Sequence, residues 1–492
     1  MSTSDAYGDY QIMRFMTPPL EGNIRPLAFA IGLLMAVSAC STDKLLTVSD
    51  PAVAYPDQLN DANAIPNLYL GAVGDFQVAW SGNGLSDAFL PATGLFSDEF
   101  RSSDTFITRN DADRRMQSSP ANGNLGDIAY TALHRARRST EVSADVITRL
   151  GTAGDPRLAE LQSLAGYTYL GFGEAFCSAV PFPSSLAPLS EIPTAASITT
   201  AQTFDTAAAR FNAAVASLGT ATTTTANSRR NLARVGLGRA LLNQGKYAEA
   251  AAAVSSVPTI FVYKNEHSAN TPRQENSLWN LNGSNRRYTV SDVEGINGLN
   301  YRAANDPRVP WFDQRRNGFD GATRLYEQLR YSSRDADVPV ANGIEARLIQ
   351  AEALLNAGSL TWLDTLNALR AQVGPLMSAN FDNYVTNLAN SAVTNTTLAP
   401  LVDPDLGAAG GPTTARVNLV FRERAFWLYA TGHRLGDMRR LIRQYNRPAN
   451  SVFPTGAWHK GGNYGDDVAM VIPFDEQNNA QYNPAACLTT QP

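Results

Sequence analysis

Aromatic side chains lie in two polar, loop-like stretches of this sequence, where they could bind a carbohydrate. Flat rings stack on the faces of sugars, and neighbouring amides, guanidiniums and carboxylates hydrogen-bond the hydroxyls. The stretches cover residues 81–119, with Trp80 at the edge, and residues 266–324. The second stretch contains the other candidates, which are Trp279, Asn282, Arg287, Tyr288 and Trp311.

For any one of these rings, packing between a loop and a helix is the favoured role, because large aromatic side chains are usually well buried. For the whole set, we expect at least two side chains to contact a ligand. Long loops inside a compact domain are usually functional or disordered, which supports a binding role for these stretches. Trp279 and Trp311 are the leading candidates, followed by Trp80.

The sequence lacks the common signatures of catalysis. It contains no H-E-x-x-H or C-x-x-C pair, no P-loop, no dinucleotide fingerprint and no G-x-S-x-G elbow. A glycosidase needs two carboxylates on either side of a sugar ring, and sequence neighbours such as Asp98 and Glu99 do not establish that arrangement. We therefore predict a protein that is not an enzyme and that holds neither a metal nor a cofactor.

Composition and charge restrict the class of partner. Hydrophobic residues make up 44% of the 492 residues and charged residues 17%, a normal balance for a chain that buries a core. The formal net charge is -5. Because nucleic-acid binding needs a clustered cationic surface, this charge argues against nucleic acid as a main partner.

The N-terminal region has the features of an exported lipoprotein. An uncharged, mostly apolar run at 27–39 follows Arg25 and ends in Val-Ser-Ala-Cys at 37–40. This run suits a signal-peptide core better than a membrane span. The pattern predicts a signal peptide over residues 1–39 and lipidation of Cys40. The alternatives are an ordinary secreted protein that is cleaved nearby, or a buried helix.

Residues 40–57 read as a polar tether without helical periodicity. Two further cysteines, Cys177 and Cys487, remain once Cys40 carries lipid. Oxidising compartments favour pairing of exported thiols, so the count predicts a disulfide between them. The competing interpretation is two free thiols, with Cys177 buried and Cys487 in a loose tail.

Helical periodicity dominates the rest of the chain. Gly238, Gly245, Tyr247 and Ala250 have the spacing of a tetratricopeptide helix pair, and 344–373 resembles a looser second copy. The predicted helices cover 59–77, 127–150, 157–176, 203–218, 227–244, 247–254, 344–357, 362–373, 416–430 and 434–444.

A set of short motifs follows in order along the second half of the chain. The motifs are N-D-P-R-V at 305–309, L-R-Y at 329–331, D-V-P-V at 337–340, E-A-R-L-I-Q-A-E-A-L-L at 345–355, F-R-E-R at 421–424, G-H-R-L-G-D-M-R-R at 432–440 and V-I-P-F-D-E at 471–476. Each motif is weak alone, but their order after a lipidation signal is fairly specific, and together they resemble the SusD/RagB family of surface glycan-binding lipoproteins over about 50–484. The charged residues of these motifs, among them Glu423, Arg424 and Arg434, are expected to pack and not to bind ligand.

The resemblance implies an all-α, SusD-like fold built on tetratricopeptide-type helix pairs with long irregular loops. It implies one helical domain over 58–492, in which a Gly- and Thr-rich insertion at about 380–415 and the short, divergent first third of the chain depart from the family pattern. It further implies a lipid-anchored protein of the outer membrane that faces the cell exterior. Such a protein binds a nutrient, most often a glycan, and delivers it to a SusC-like TonB-dependent transporter.

Two other functions stay open from the sequence. A tetratricopeptide-type lipoprotein could organise envelope proteins without binding a small ligand, and it would not need the aromatic loops. A helical glycoside hydrolase is the third alternative, and it would require a carboxylate pair with measurable turnover.

Overall fold

The computed structural model describes residues 58–117, 123–186 and 194–492. The predicted signal peptide, Cys40 and the tether lie outside the described residues. No helix in the described part of the chain is long and apolar enough to cross a membrane.

Helices carry most of the structure, as the periodicity predicts, and all ten predicted helices have counterparts. In chain order the helices are α1 (Ile65–Ser81), α2 (Phe89–Phe96), α3 (Ile107–Asp113), α4 (Gly126–Leu150), α5 (Pro156–Ala175), α6 (Thr200–Ser217), α7 (Thr224–Asn243), α8 (Tyr247–Val254), α9 (Ser277–Trp279), α10 (Gly343–Asn356), α11 (Trp362–Arg370), α12 (Val373–Asn380), α13 (Tyr384–Ala389), α14 (Thr414–Trp427) and α15 (Arg434–Tyr445).

Capping side chains explain where several helices begin. The hydroxyls of Thr223 and Thr413 accept hydrogen bonds from the backbone N–H groups of Ala226 and Arg416, which places the starts of α7 and α14 directly after each threonine. Such caps satisfy N–H groups that have no partner inside the helix. Periodicity alone places both starts two or three residues later than the structure does.

Short antiparallel strand pairs connect the helices. The strands are β1 (Phe100–Ser102), β2 (Val180–Pro181), β3 (Ser197–Ile198), β4 (Val262–Asn265), β5 (Tyr288–Val290), β6 (Trp311–Asn317), β7 (Arg324–Gln328) and β8 (Val338–Asn342). Within the described ranges they pair as β1–β5, β2–β3, β4–β8 and β6–β7. The stretch 81–119, which we predicted to be irregular, contains α2, β1 and α3, so that prediction was wrong in part.

The tetratricopeptide-type pair is present as α7 and α8. A Cβ atom built on Gly238 would lie 2.5 Å from Cγ1 of Val254, so these helices approach too closely for any side chain at this position. Gly245 takes the left-handed conformation, with φ of +72°, in the turn between them. The pair α10–α11 packs against α8, which continues the stack in the way that helical repeats bury their apolar faces.

Buried ion pairs join α10, α14 and α15. Nε of Arg424 lies 2.8 Å from Oδ2 of Asp437, and Nη1 of Arg440 lies 2.6 Å from Oε1 of Glu352. Arg440 also donates to Asp437 at 2.8 Å. These contacts confirm the packing role predicted for the charged residues of the C-terminal motifs, because all four side chains are almost fully buried.

The C-terminal tail is tied to the end of α5. Cys177 and Cys487 form a disulfide with a Cα–Cα distance of 5.0 Å. This is the pairing that the cysteine count predicts. Backbone hydrogen bonds from Met470 to Ala175 (2.8 Å) and from Cys177 to Met470 (2.9 Å) hold the same region together. Tails are mobile unless they are anchored, and here the bridge supplies the anchor.

We predict that the unfolded, unreduced domain has close to zero free thiol, and that Cys487→Ser lowers the free energy of unfolding. The bridge spans 310 residues, and the chain-entropy model gives about 6 kcal/mol for a loop of that length, less any strain. Thiol titration in denaturant and urea unfolding with and without reductant measure both effects. Reductant should leave the Cys487→Ser variant unchanged. Two reactive thiols per chain in the unreduced protein would contradict the prediction.

Candidate ligand-binding site

Two exposed phenylalanine rings flank the guanidinium group of Arg287. The Cζ atom of Arg287 lies 3.7 Å from the ring centroid of Phe319 and 4.7 Å from that of Phe106. The rings are 45% and 52% exposed, respectively. We call these three residues the aromatic platform. A guanidinium between two rings gains cation–π attraction, and the exposed ring surfaces remain open for stacking.

Distant segments of the chain build this platform. Phe106 immediately precedes α3, Arg287 immediately precedes β5, and Phe319 lies at the tip of the β6–β7 hairpin. The backbone N–H of Phe319 donates to the carbonyl of Arg286 at 2.8 Å, and that of Ser103 donates to the carbonyl of Arg287 at 2.9 Å. The second of these hydrogen bonds extends the β1–β5 pairing by one residue on each strand, and the platform lies at this end of the strand pair.

One glycine lets the hairpin tip approach the loop before α3. A Cβ atom on Gly318 would lie 2.2 Å from Cβ of Ser103, so any other residue would force the segments apart. Across this contact the N–H of Asp320 donates to the carbonyl of Ser103 at 2.9 Å. The close approach fixes the ring of Phe319 beside the guanidinium of Arg287.

Buried carboxylates hold the cations below the rings. Asp104 lies 2.8 Å from Nη1 of Arg287 and 2.5 Å from Nη1 of Arg109. Burial acts to raise the pKa of Asp104, but the hydrogen bonds and charges of the two arginines outweigh it and lower that pKa. Nζ of Lys460 lies 2.6 Å from the carbonyl oxygen of Asp104 and 2.9 Å from Oδ2 of Asp320. The base of the platform is thus cross-linked by charge-assisted bonds.

Three of the predicted site residues meet in this region, and of these only Arg287 keeps some exposed surface, 13% of its side chain. Arg287 belongs to the platform. Asn282 is fully buried, where its amide donates to the carbonyls of Tyr288 (2.7 Å) and Tyr326 (3.1 Å). Tyr288 is also fully buried, and its hydroxyl donates to Asp87 at 2.6 Å. The structure therefore corrects the prediction for Asn282 and Tyr288, which support the site and cannot touch a ligand.

Trp80 is likewise buried, with no exposed surface. It lies in α1 and packs on Phe76 and Phe89, with ring-centroid distances of 5.6 and 4.4 Å. The prediction that Trp80 contacts ligand was wrong. The predicted helix ended at residue 77, whereas α1 continues to Ser81 and carries Trp80 into the core.

Trp279 and Trp311 are half-buried and do not form part of the platform contacts. Trp311 meets Tyr326 edge-on at 5.6 Å, and Arg302 lies 5.6 Å from its ring centroid. Arg334 lies 5.6 Å from the ring of Trp279. Both rings keep some exposed surface, so a ligand contact by either stays a prediction.

The sequence interpretation missed Phe106 and Phe319. The available signal for Phe319 is its position in the segment N-G-F-D-G at 317–321, where a large ring between two glycines in a polar turn has little to pack against. Phe106 has no comparable signal, because its exposure depends on segments that are distant in the sequence.

A cleft of about 370 Å³ lies elsewhere, between α4, α5 and α6. Its charged side chains already satisfy one another, because Glu141 pairs with Arg137 at 3.0 Å and with Arg210 at 2.7 Å. Within the described ranges, no group of His, Cys, Asp and Glu side chains could hold a metal ion. The platform is therefore the better candidate, because about half of each ring stays exposed beside the guanidinium of Arg287.

A layer of buried carboxylates lies next to β1 and β5. Glu99 accepts a hydrogen bond from the N–H of Ala430 at 2.7 Å, and Glu294 pairs with Arg101 at 2.9 Å. Burial raises the pKa of Glu99 to about 8 and raises that of Glu294 well above its ordinary value. Glu99 is consequently protonated in the folded protein at neutral pH.

Comparison with solved structures identifies the fold. The chain aligns with a SusD homolog from Bacteroides thetaiotaomicron at a TM-score of 0.58 and 13% identity, over 88% of this chain and 98% of the other. It aligns with a SusD/RagB family protein from the same organism at 0.54 and 14%, over 77% and 88%. A laminarin-binding SusD-like protein aligns at 0.51 and 14%, over 86% and 99%.

No family model and no curated protein matches the sequence. The structural matches nevertheless confirm the predicted fold class: the described chain has the helical SusD/RagB fold. At these identities the likeness establishes the fold, and the function requires its own argument.

The buried carboxyl group of Glu99 predicts a specific pH dependence. The native state keeps this proton up to a pH of about 8, whereas an unfolded glutamate loses it near 4.5. The native state therefore binds more protons between these values, and this group makes the unfolding free energy fall as pH rises through that window. In Glu99→Gln the contribution is absent, so the unfolding free energy of the variant should rise by about 3 kcal/mol relative to that of wild type between pH 5 and pH 7.5.

Urea unfolding at several pH values measures this difference, since every other titrating group is common to both proteins. Parallel stability curves for wild type and Glu99→Gln would show that Glu99 titrates normally and would contradict the prediction.

Proposed function

We propose that this protein is a surface lipoprotein that binds a glycan on the aromatic platform and delivers it to a TonB-dependent transporter of the outer membrane. The observation that carries the glycan assignment is the pair of exposed rings, Phe106 and Phe319, fixed on either side of Arg287. Rings held in place by packed loops lose little conformational freedom on binding, which favours affinity.

The fold supports the same ligand class. Solved structures with this fold include a laminarin-binding SusD-like protein and a SusD-like carbohydrate-binding protein from Bacteroides vulgatus. The platform supplies flat apolar faces, and polar side chains border it. This combination suits a sugar, whose ring faces are apolar and whose edges carry hydroxyls.

A catalytic role has weaker support. Asp98 and Glu99, the carboxylate pair noted in the sequence, are both fully buried. Asp98 pairs with Arg434 at 2.6 Å, and Glu99 accepts from Ala430. Two glycosidase carboxylates must reach opposite sides of a glycosidic bond, and these two point into the protein core. We therefore propose binding without hydrolysis.

Anchoring and the transporter partner follow from the lipidation signal at Cys40. One acyl chain holds a protein to a membrane only weakly, and the several chains of a lipidated N-terminal cysteine would hold it firmly. A helical binding protein that is held at the outer surface needs a route for its ligand across the membrane. A SusC-like barrel supplies that route.

Glycan retention tests the site. Purified wild-type protein should be retarded by at least one polysaccharide in a panel that includes laminarin and acidic glycans, and no new reducing ends should appear. Phe319→Ala should weaken that binding by roughly 1–3 kcal/mol, by analogy with bases that stack on aromatic rings. Phe319→Trp keeps a flat ring and should retain most of the affinity.

Phe474→Ala is the matched control, because Phe474 is also 45% exposed and belongs to a C-terminal 3-10 turn away from the platform. Its binding should equal that of wild type. Unchanged binding by Phe319→Ala would remove the platform from the proposal, and new reducing ends would favour a hydrolase.

Extraction from the native host tests the anchor and the partner together. In gentle detergent the wild-type protein should carry acyl mass on Cys40 and co-purify with a TonB-dependent barrel. Cys40→Ala should appear in the soluble fraction. Recovery of unacylated protein from membranes, or repeated recovery without a barrel, would contradict the respective part of the proposal.

A further inference from the structure

Three arginines around the hairpin tip make no direct ion pair with a carboxylate in the described part of the chain. Arg286, Arg315 and Arg316 form no ion pair with any residue that the structure describes, whereas most other arginines do. The nearby carboxylates bind other side chains directly. Glu327 accepts a hydrogen bond from Gln314, and the charges of Arg315 and Arg316 act on Asp313 and Glu327 only beyond ion-pair distance. Asp313 binds Arg324 through two contacts of 2.9 and 3.0 Å, and Asp320 binds Lys460.

These arginines lie beside the aromatic platform. The carbonyl of Arg286 accepts the backbone hydrogen bond of Phe319, and its Nη1 lies 3.5 Å from the carbonyl oxygen of Asn317. Arg315 and Arg316 are exposed near the end of β6, four and three residues before Phe319, respectively. A ligand that covers the ring of Phe319 therefore comes within reach of cationic side chains.

The backbone of two of these residues is strained. Arg286 and Arg315 have φ values of +58° and +53°, a region that side-chain-bearing residues seldom adopt. Glycine would be accommodated more easily at both positions. The presence of arginine there points to a use for the side chain itself.

A local excess of guanidinium groups on an acidic protein favours an anionic ligand. The whole chain carries a net charge of -5, so a local surplus of cations is not a general property of its surface. Guanidinium groups bind carboxylate and sulfate oxygens through paired hydrogen bonds, and they are less strongly hydrated than ammonium groups. Neutral sugars would leave these cations without a counter-charge.

We propose that the ligand is an acidic glycan whose sugar rings stack on Phe106 and Phe319 and whose carboxylate or sulfate groups pair with Arg286, Arg315 and Arg316. This inference rests on the proposed function, because it names the class of glycan that the same site binds. The shared chemistry is an oxyanion on a polysaccharide.

Matched pairs of glycans test the charge requirement directly. Polygalacturonate and its methyl ester differ in carboxylate charge, and dextran sulfate and dextran differ in sulfate. At low salt the wild-type protein should bind at least one charged member tenfold more tightly than its neutral counterpart. Arg315→Gln/Arg316→Gln should reduce the affinity for that charged glycan at least tenfold, and 0.5 M salt should diminish the difference, because salt screens exposed charges.

Arg135→Gln is the matched control, since Arg135 is exposed on α4 and forms no ion pair among the described residues. Its affinity should stay within twofold of wild type. Phe319→Ala should also weaken binding of the charged glycan, whereas purely electrostatic attraction would leave it unchanged. Thermal melts of all variants verify that they fold.

The outcomes separate this inference from the proposed function. Equal affinity for charged and neutral glycans, or no loss in the double variant, would overturn the inference and leave glycan binding in place. Failure to bind any glycan would reject both. Equally tight binding of polyglutamate, or binding of phosphatidylglycerol vesicles without binding of any polysaccharide, would overturn the inference in favour of a general anion surface. Preference for polygalacturonate or for dextran sulfate would support it and identify the anionic group.

Discussion

The bidentate ion pair between Asp98 and Arg434 is the contact on which the binding region depends. Its N–O distances are 2.6 and 2.9 Å, and both side chains are buried. Arg434 belongs to α15, whereas Asp98 immediately precedes Glu99 and β1. Asp98 also accepts the N–H of Leu299 at 2.9 Å. A buried pair of this kind offers no great net stability, but loss of one partner leaves a buried charge and costs about 3–5 kcal/mol. The pair therefore fixes the segment before β1 and the loop at Leu299 in one position relative to α15.

Two strand pairs connect this buried ion pair to the platform at the surface. The β1–β5 ladder extends from the ion pair to Ser103 and Arg287, and the β6–β7 hairpin joins it through the hydroxyl of Thr289, which accepts the N–H of Tyr326 at 2.7 Å. The same hydroxyl also donates to the carbonyl of Arg324 at 2.9 Å, so more than one hydrogen bond joins the hairpin to β5. The exposed rings consequently stand on a rigid base, although they belong to loops. A site whose side chains are already ordered loses less entropy when a ligand binds.

The sequence predicts the helices well because their apolar spacing is local information, and it predicts the close crossing at Gly238 because small residues reveal it. The site is harder to predict, for reasons that Trp80 and Phe319 illustrate. A boundary error of four residues at the end of α1 moved Trp80 from the core into a supposed loop. The exposure of Phe319 depends on the contact of Gly318 with Ser103, which joins segments more than two hundred residues apart. No pattern within one segment contains that information.

The platform is a surface feature, and this shape bears on the proposed transfer of a ligand to a second protein. Deep pockets bury most of a ligand and release it slowly, whereas stacking on two rings leaves one side of a sugar free for a second protein. Modest affinity is sufficient when a lipid anchor and a bound transporter keep the partners together, because tethering raises the effective concentration of the ligand at the next site. Charge pairing through Arg315 and Arg316 would add affinity and faster capture of acidic glycans without enclosing them. Because a ligand can enter and leave an open site directly, an open site with exposed cations at its edge suits capture and transfer better than a closed cavity.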